Sequence, residues 1–273
     1  MKKRYVASCS FGKDSMATVL LALENNEPLT EVIYCEVMFD EKRSGEVPEH
    51  RAFIYDTAIP FLKGAGIKVH VIRSEKNFVG LFKKQVARGP NTGKIWAWPL
   101  CGRCYVQRDC KVRPIEAYKR SEWAGDDVTQ YIGIADDEMD RLARLDGTTT
   151  VSLLHKYGKA EDDAKKLCIA HGLYSPSYEF TCRNGCFFCP NAKEKELRHL
   201  YDHHRDLWES LLELQALPNK TTELFTRERR FSEIDELFRM DDAQASLFES
   251  RELVPFDSKK ILEYQPGGRR ASP

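Results

Sequence analysis

The first 74 residues alternate strand-like and helix-like segments, and this alternation restricts the fold more than any other feature of the chain. "RYVAS" reads as a buried strand, and residues 15–23 read as a helix closed by the polar "ENNEP". "EVIYCEVMF" (31–39) is a second strand, residues 49–64 carry an amphipathic helical pattern, and "GIKVHVIRS" (66–74) is a third strand. Strand, helix, strand, helix, strand in so short a span predicts parallel βαβ units with right-handed crossovers. The expected fold class is α/β, a parallel twisted sheet with flanking helices.

Downstream, "NFVGLFKKQVA" predicts a helix and "RGPNTGKIWAWP" a loop. "CKVRPIEAYKRS" predicts another helix, and "VTQYIGIA" (128–135) a fourth strand that opens into the acidic loop "DDEMDRLARL". "EDDAKKLCIAHG" has a glycine stop and reads as a short helix, while residues 192–217 form one long amphipathic helical region. The last ~50 residues are charged with scattered aromatics, ending in a frayed "QPGGRRASP". The expected division is residues 1–150, a segment 151–215 packed on them, and a helical or irregular extension 216–273.

Lys and Arg together number 42, as do Asp and Glu, so the net charge is zero. That balance argues against a generally basic nucleic-acid binder and leaves only local patches such as "FKKQVARG" and "TRERRF". No apolar run approaches the ~18 residues of a membrane span, and the N-terminus lacks a signal-peptide core. No membrane partner and a cytoplasmic location are expected.

The junction of the first strand and helix is Ser10-Phe11-Gly12-Lys13-Asp14-Ser15. A loop leaving a parallel strand and entering a helix offers backbone N–H groups and a helix dipole to an anion. Neither the three-glycine dinucleotide fingerprint nor the P-loop pattern is present. Gly12 permits close approach, Ser10 and Ser15 offer hydroxyls, and Lys13 offers charge. Asp14 either caps the helix or holds Mg²⁺ near a phosphate.

Nine cysteines are many for such a chain. Cys9, Cys35 and Cys168 lie singly in apolar or helical contexts and read as core. "PLCGRC" and "GCFFCP" each contain C-x-x-C, and together they offer Cys101, Cys104, Cys186 and Cys189 as a four-thiolate metal site in a cysteine-rich knuckle. Zinc and a [4Fe–4S] cluster both accept this set. Pro190 directly after the last cysteine, as in ferredoxin-type runs, and water-excluding Phe187 and Phe188 favour the cluster. Cys110 and Cys182 are further ligands, sulfur-accepting thiols or core. Trp96 and Trp98 flank the first pair and either wall the site or stack a base. Of His199, His203 and His204, only the first two share a helical face, which reads as solvated surface.

The SxGxDS order of residues 10–15 resembles the motif of the PP-loop (N-type ATP pyrophosphatase) superfamily. That superfamily includes sulfonucleotide reductases, ATP sulfurylase small subunits, tRNA thiolases and DNA phosphorothioation enzymes. The placement of "YCEVMFD", "CKVRPIEAY", "YIGIADDEMDRLARL" and "RNGCFFCPNAKEKELRHL" resembles its phosphoadenosine phosphosulfate (PAPS) reductase family over roughly residues 4–210. The resemblance implies an adenine nucleotide alpha hydrolase-like fold with residues 1–150 as the nucleotide-binding part. It implies Lys13, Asp14 and Ser15 in catalysis, and Ser8, Ser10, Phe11, Gly12, Asp40, Gly133, Asp136 and Arg141 around the nucleotide. Asp137 and Glu138 belong to the same acidic cluster, and Lys111 and Arg113 match a basic position. Relatives that handle sulfur also carry [4Fe–4S] clusters.

The departure is chemical. Sulfonucleotide reductases resemble one another in a catalytic cysteine within an ECGLH-like tail, whereas the last cysteine here is Cys189 and the 84 residues after it have none. The expected function is therefore cleavage of ATP, with Mg²⁺, to AMP and pyrophosphate, activating a substrate for thiolation-type sulfur transfer. A sulfur-donor protein and a nucleic-acid substrate, tRNA or DNA, are the implied partners. The alternatives are a PAPS reductase and a non-catalytic nucleotide-binding module that recruits a nucleic acid or protein.

Overall fold

Among the described residues the alternation resolves into five parallel strands in the order β3-β2-β1-β4-β5. The structure, a computed structural model, describes residues 1–99 and 104–249. Its strands are β1 (Lys3–Ser8), β2 (Glu31–Glu36), β3 (Lys68–Arg73), β4 (Asp127–Tyr131) and β5 (Thr150–Val151). The helices are α1 (Lys13–Glu24), α2 (Pro48–Phe53), α3 (Ile59–Gly64), α4 (Phe78–Phe82), α5 (Tyr105–Gln107), α6 (Arg113–Glu122), α7 (Met139–Leu142), α8 (Leu153–Lys156), α9 (Glu161–Ala170), α10 (Glu194–His203), α11 (Arg205–Ala216) and α12 (Phe231–Glu249). Residues 1–231 form one compact unit and residues from Ser232 a second, whose described part is helical.

Central β1 pairs with β2 on one side and β4 on the other, Ala7 standing opposite both Val32 and Tyr131. Successive residues of β1 point to opposite faces. Ala7 joins the larger core with Met16, Leu20, Ile54 and Leu62, while Val6 meets Ile33 and Trp123 on the other face, against Ile115 and Tyr118 of α6. Helices therefore cover both faces, as a sheet whose strands are buried on both sides requires.

Several boundaries depart from the sequence expectation. The fourth strand ends at Tyr131 rather than residue 135, because Gly133 must leave the sheet to pass the start of α1. The helix expected over "NFVGLFKKQVA" covers only Phe78–Phe82; beyond it, Val86 and Trp96 pair back onto Lys94 and Lys84. The single long helix of residues 192–217 is two helices, broken at His204 (φ −133°, ψ 61°). The short β5, which pairs with β4, has no counterpart in the sequence reading, whereas α12 lies within the expected helical or irregular extension.

Two helices are interrupted by π-helical turns, Ile54–Ala58 between α2 and α3 and Arg108–Val112 between α5 and α6. In each case a proline, Pro60 or Pro114, follows two residues later. Proline lacks the N–H for the i→i−4 bond and its ring crowds that carbonyl, so the preceding turn widens.

Between β2 and the cysteine loop lies a cluster of rings. Phe188 stacks on Phe78 at 3.9 Å and 7°, and Phe39 meets Phe187 at 5.0 Å. Trp98 packs between Phe82 and Phe225, donating its indole N–H to Gln215 Oε1 at 3.1 Å. Trp98 is thus a buried packing residue, and Trp96 is occupied by Tyr105 and the ammonium of Lys84.

Candidate functional site

The point where β1 has neighbours leaving in both directions is where an open parallel sheet presents a crevice beyond its carboxyl ends. The loop of residues 9–12 lies there. Phe11 adopts φ +60°, a conformation bulky residues avoid, and is held in it by burial and an edge contact with Tyr34 at 5.1 Å. Its N–H points back to Cys9 Sγ at 3.4 Å.

Gly12 is the N-cap residue of α1, and among the described residues no side chain caps the helix. Ser15 instead donates its hydroxyl to Gly12 O at 3.0 Å, and Asp14 pairs with Lys13 Nζ at 2.9 Å. The Lys13 N–H goes to the hydroxyl of Tyr178 at 2.8 Å. The capping alternative for Asp14 is not adopted. A Cβ at Gly12 would lie 3.2 Å from Tyr178 Oη and 3.9 Å from Asn184 Nδ2.

Lys13 Nζ also reaches Glu161 Oε2 at 3.2 Å. Burial opposes its charge, yet Asp14 and Glu161 hold the ammonium above its ordinary value. Burial pushes the Asp14 carboxyl up against the pull of Lys13, and nearby Glu161 and Glu138 push the same way. Lys13 is thus flanked by two carboxylates, Asp14 and Glu161, while Glu138 pairs with Arg141; an oxygen donor such as Asp14 is of the kind that Mg²⁺ accepts.

A buried relay supports the loop from behind. His50 of α2 faces Ser10 O through Nε2 at 3.1 Å and Ser175 Oγ through Nδ1 at 2.9 Å. Ser175 bonds Ser177 at 2.8 Å, and Ser177 donates to Asn184 Oδ1 at 2.5 Å. Burial pushes the His50 imidazole below its ordinary value, which keeps it neutral and able to donate at one nitrogen and accept at the other. The relay ends at Asn184 Nδ2, which is buried without a hydrogen-bond partner among the described residues.

Beyond Ser10 a cleft of about 370 Å³ opens. Its lining includes Ser10, His50, Lys111, Arg183 and Asn184 together with Cys104, Cys186 and Cys189. The cysteine loop is pinned to the chain after β2, because Phe187 N–H donates to Gly45 O at 3.0 Å and Cys186 bridges Glu46. Cys189 N–H donates to Cys186 O at 3.0 Å, closing the turn that turns both thiols to the cleft. Arg183 donates to Cys189 Sγ at 3.1 Å. Burial, Glu46 and the neighbouring thiol of Cys189 push the Cys186 thiol well up, with Cys104 adding to the effect. Three soft donors around one cavity, backed by rings and a cation, fit a thiolate-bound metal or cluster. Cys101, the fourth expected ligand, lies outside the described residues.

The other candidates are placed as follows. Ser8 Oγ accepts from Gln130 Nε2 at 2.9 Å at the end of β1. Gly133 abuts the backbone of Asp14 and Ser15. Asp40 accepts from the N–H groups of Lys42 and Arg43 and pairs with the Arg43 guanidinium at 2.7 Å. Asp136 pairs with His155 at 2.6 Å, Arg141 with Glu138, and Asp137 accepts from Glu161 N–H at 3.4 Å. Of the expected nucleotide and catalytic residues only Ser10 lines the cleft; Ser8, Phe11, Gly12, Lys13, Asp14, Ser15, Asp40, Gly133, Asp136 and Arg141 do not. Cys110 is buried against Lys76 O at 3.4 Å, Cys182 is exposed, and neither lines it. Cys9, Cys35 and Cys168 are buried. His199 and His204, expected on a solvated surface, are half-buried and both bond Glu49.

His50, Ser175, Ser177, Tyr178, Asn184, Glu161 and Arg183 were not legible as site residues, since each is an ordinary residue type made special by its neighbour across the fold. The chain matches no protein-family profile, and a search of curated proteins finds no match. Among solved structures it is similar to the U34-tRNA thiolase NcsA from Methanococcus maripaludis with its [4Fe–4S] cluster. That likeness has 12% identity over 86% of this chain and 80% of the other, with a TM-score of 0.40.

Proposed function

We propose that the chain binds ATP with its phosphates against residues 10–15 and cleaves it to AMP and pyrophosphate, activating an acceptor oxygen for replacement by sulfur. The observation that carries this reading is the shared cleft, whose lining joins Ser10 of the loop and Lys111 to Cys104, Cys186 and Cys189. The loop reaches this cavity through Ser10, and a phosphate loop that meets soft donors at its edge suits a reaction that couples phosphoryl chemistry to sulfur. Asn184 Nδ2 supports the anion, being a buried donor without an acceptor beside Gly12.

In the reaction the acceptor oxygen attacks the α-phosphorus, the bond to the β-phosphate bridging oxygen breaks, and pyrophosphate leaves. A sulfur nucleophile from a donor protein then displaces AMP together with that oxygen. Lys13 and the first amides of α1 stabilise the charge that develops on the phosphates. Asp14 would hold Mg²⁺. Cys101, Cys104, Cys186 and Cys189 would hold a [4Fe–4S] cluster, with Zn²⁺ the alternative; a cluster bound there would supply a landing site at the cleft for the sulfur that the donor brings. Gly133 keeps the loop against β4, and His50 fixes Ser10. The substrate class is a nucleic acid, tRNA or DNA.

The test is pyrophosphate release from ATP and Mg²⁺ in the presence of tRNA or DNA acceptors. Lys13→Met should lower the rate about 100-fold, as loss of one charge-stabilising donor does. Visible absorption of the protein as isolated separates a cluster from stoichiometric zinc. Tight binding of PAPS, with no pyrophosphate released for any acceptor, overturns the reading.

A further inference from the structure

We propose that Glu49, His199 and His204 form a binding site for a divalent transition-metal ion of the Zn²⁺ type, separate from the cysteine cleft. His199 Nε2 and His204 Nε2 lie 2.8 and 2.9 Å from the same oxygen, Glu49 Oε1. One donor atom from each of the three residues lies within 4.8 Å of the others. Two imidazoles and a carboxylate are a donor set that Zn²⁺ and its neighbours accept, with remaining positions open to water.

The chain builds this convergence from separated pieces. Glu49 stands in the first turn of α2, and the histidines flank the end of α10. Helical spacing alone would send His204 away from His199. The helix stops at His203, however, and the backbone of His204 (φ −133°, ψ 61°) brings its ring to the side of His199. His199 is fixed by stacking on Phe180, with centroids 3.5 Å apart and planes within 5°. Two ligands are thus oriented before any ion arrives.

A second observation points to an occupant. Glu49 Oε1 carries both imidazole contacts, whereas Oε2 is buried without a hydrogen-bond partner among the described residues. An orphaned buried acceptor costs about 1–3 kcal/mol. A cation held by both carboxylate oxygens as well as by the two rings removes that cost. Tetrahedral ligands at ~2.1 Å from an ion stand about 3.4 Å apart, so the trio must open by roughly half an ångström. The three side chains are 29, 18 and 19% exposed, which leaves an entry path and room for a water ligand. Because His50 follows Glu49 and contacts Ser10 O, the ion would tie the α10–α11 junction to the residue behind the phosphate loop.

The experiment titrates Zn²⁺ and Co²⁺ into the full chain and into a Cys186→Ser, Cys189→Ser variant, with metal content and melting temperature as readouts. The expected result is one equivalent that persists in the cysteine variant, raises its melting temperature, and gives a Co²⁺ spectrum without thiolate charge transfer. His204→Asn should weaken this binding about 100-fold or more. Glu49→Gln keeps the shape and a carbonyl acceptor, and so guards against loss of fold; it should weaken binding likewise. The proposal is overturned if the cysteine variant retains no metal. Equal binding by wild type and Glu49→Gln, marking surface histidines only, overturns it too.

Discussion

Gly133 lies so close to Asp14 that a Cβ there would stand 2.6 Å from the Asp14 carbonyl carbon and 2.7 Å from its oxygen. Both are backbone atoms at the start of α1, so neither can rotate away. Gly133→Ala is expected to push the loop out of place and cost about 1–3 kcal/mol, as overpacking does. Urea unfolding should show a lower midpoint with an unchanged slope, and ATP binding by calorimetry should be lost. An alanine variant with native stability and affinity would mean that the loop is not held from this side.

Tyr178 takes the Lys13 N–H that an incoming phosphate would use. Tyr178→Phe leaves that half-buried N–H unpaired, at about 1 kcal/mol. The same change frees a donor for an anion. The melting temperature without ligand should therefore fall, and the rise on adding ATP should exceed that of the wild type. A smaller rise would make the hydroxyl part of the binding surface rather than a competitor.

How much of this was readable in advance depends on whether the signal is local. The β1–loop–α1 junction was legible because Gly12, Ser10 and Ser15 are small or hydroxylated in a fixed order after an apolar run. Spacing alone singled out Cys104, Cys186 and Cys189, which border one cavity, while Cys101 lies outside the described residues. The relay of Ser10, His50, Ser175, Ser177 and Asn184 was not, since it joins three stretches of chain through single hydrogen bonds. "IGIA" reads as strand by composition, but the approach of Gly133 to α1 overrides it. The π turns had a signal in Pro60 and Pro114, which the helical periodicity masked. His204 was misplaced because the periodicity was extended through a helix end that no glycine or proline marks.

At the end of β2, Glu36 is fully buried and bonds Arg51 at 2.9 Å, Tyr55 at 2.8 Å and Arg73 at 2.6 Å. Burial works to raise its carboxyl, but these donors hold it below the ordinary 4.5. Its contribution to stability is therefore present above about pH 4.5 and is lost as the pH falls through the lower folded value. Replacing both Arg51 and Arg73 by Met should cost about 2 kcal/mol at pH 7. That is below the loss for a fully buried pair, because the guanidinium groups are 46 and 51% exposed. Without them the buried carboxyl prefers its proton, so the stability gap between variant and wild type should narrow from pH 7 to pH 4. A gap that stays constant would show that Glu36 carries no net charge-dependent stability.

Lys111 and Arg113 stand two residues apart, yet the π turn before Pro114 separates their roles. Arg113 pairs with Asp109 at 2.7 Å and is mostly exposed. Lys111 lines the cleft, and its charge acts on Cys9, Cys35, His50 and Cys186 together. Those four groups come from the loop after β1, from β2, from α2 and from the cysteine loop. An anion entering between Ser10 and the thiols gains most from that charge, which a partly dry cleft screens weakly. Lys111→Met is expected to weaken ATP binding about tenfold, the equivalent of ~1.4 kcal/mol. Arg113→Met should leave it unchanged and lose at most a few tenths of a kcal/mol in stability. Calorimetric titration of both variants against the wild type decides the matter, and equal losses would place the anion outside this cleft.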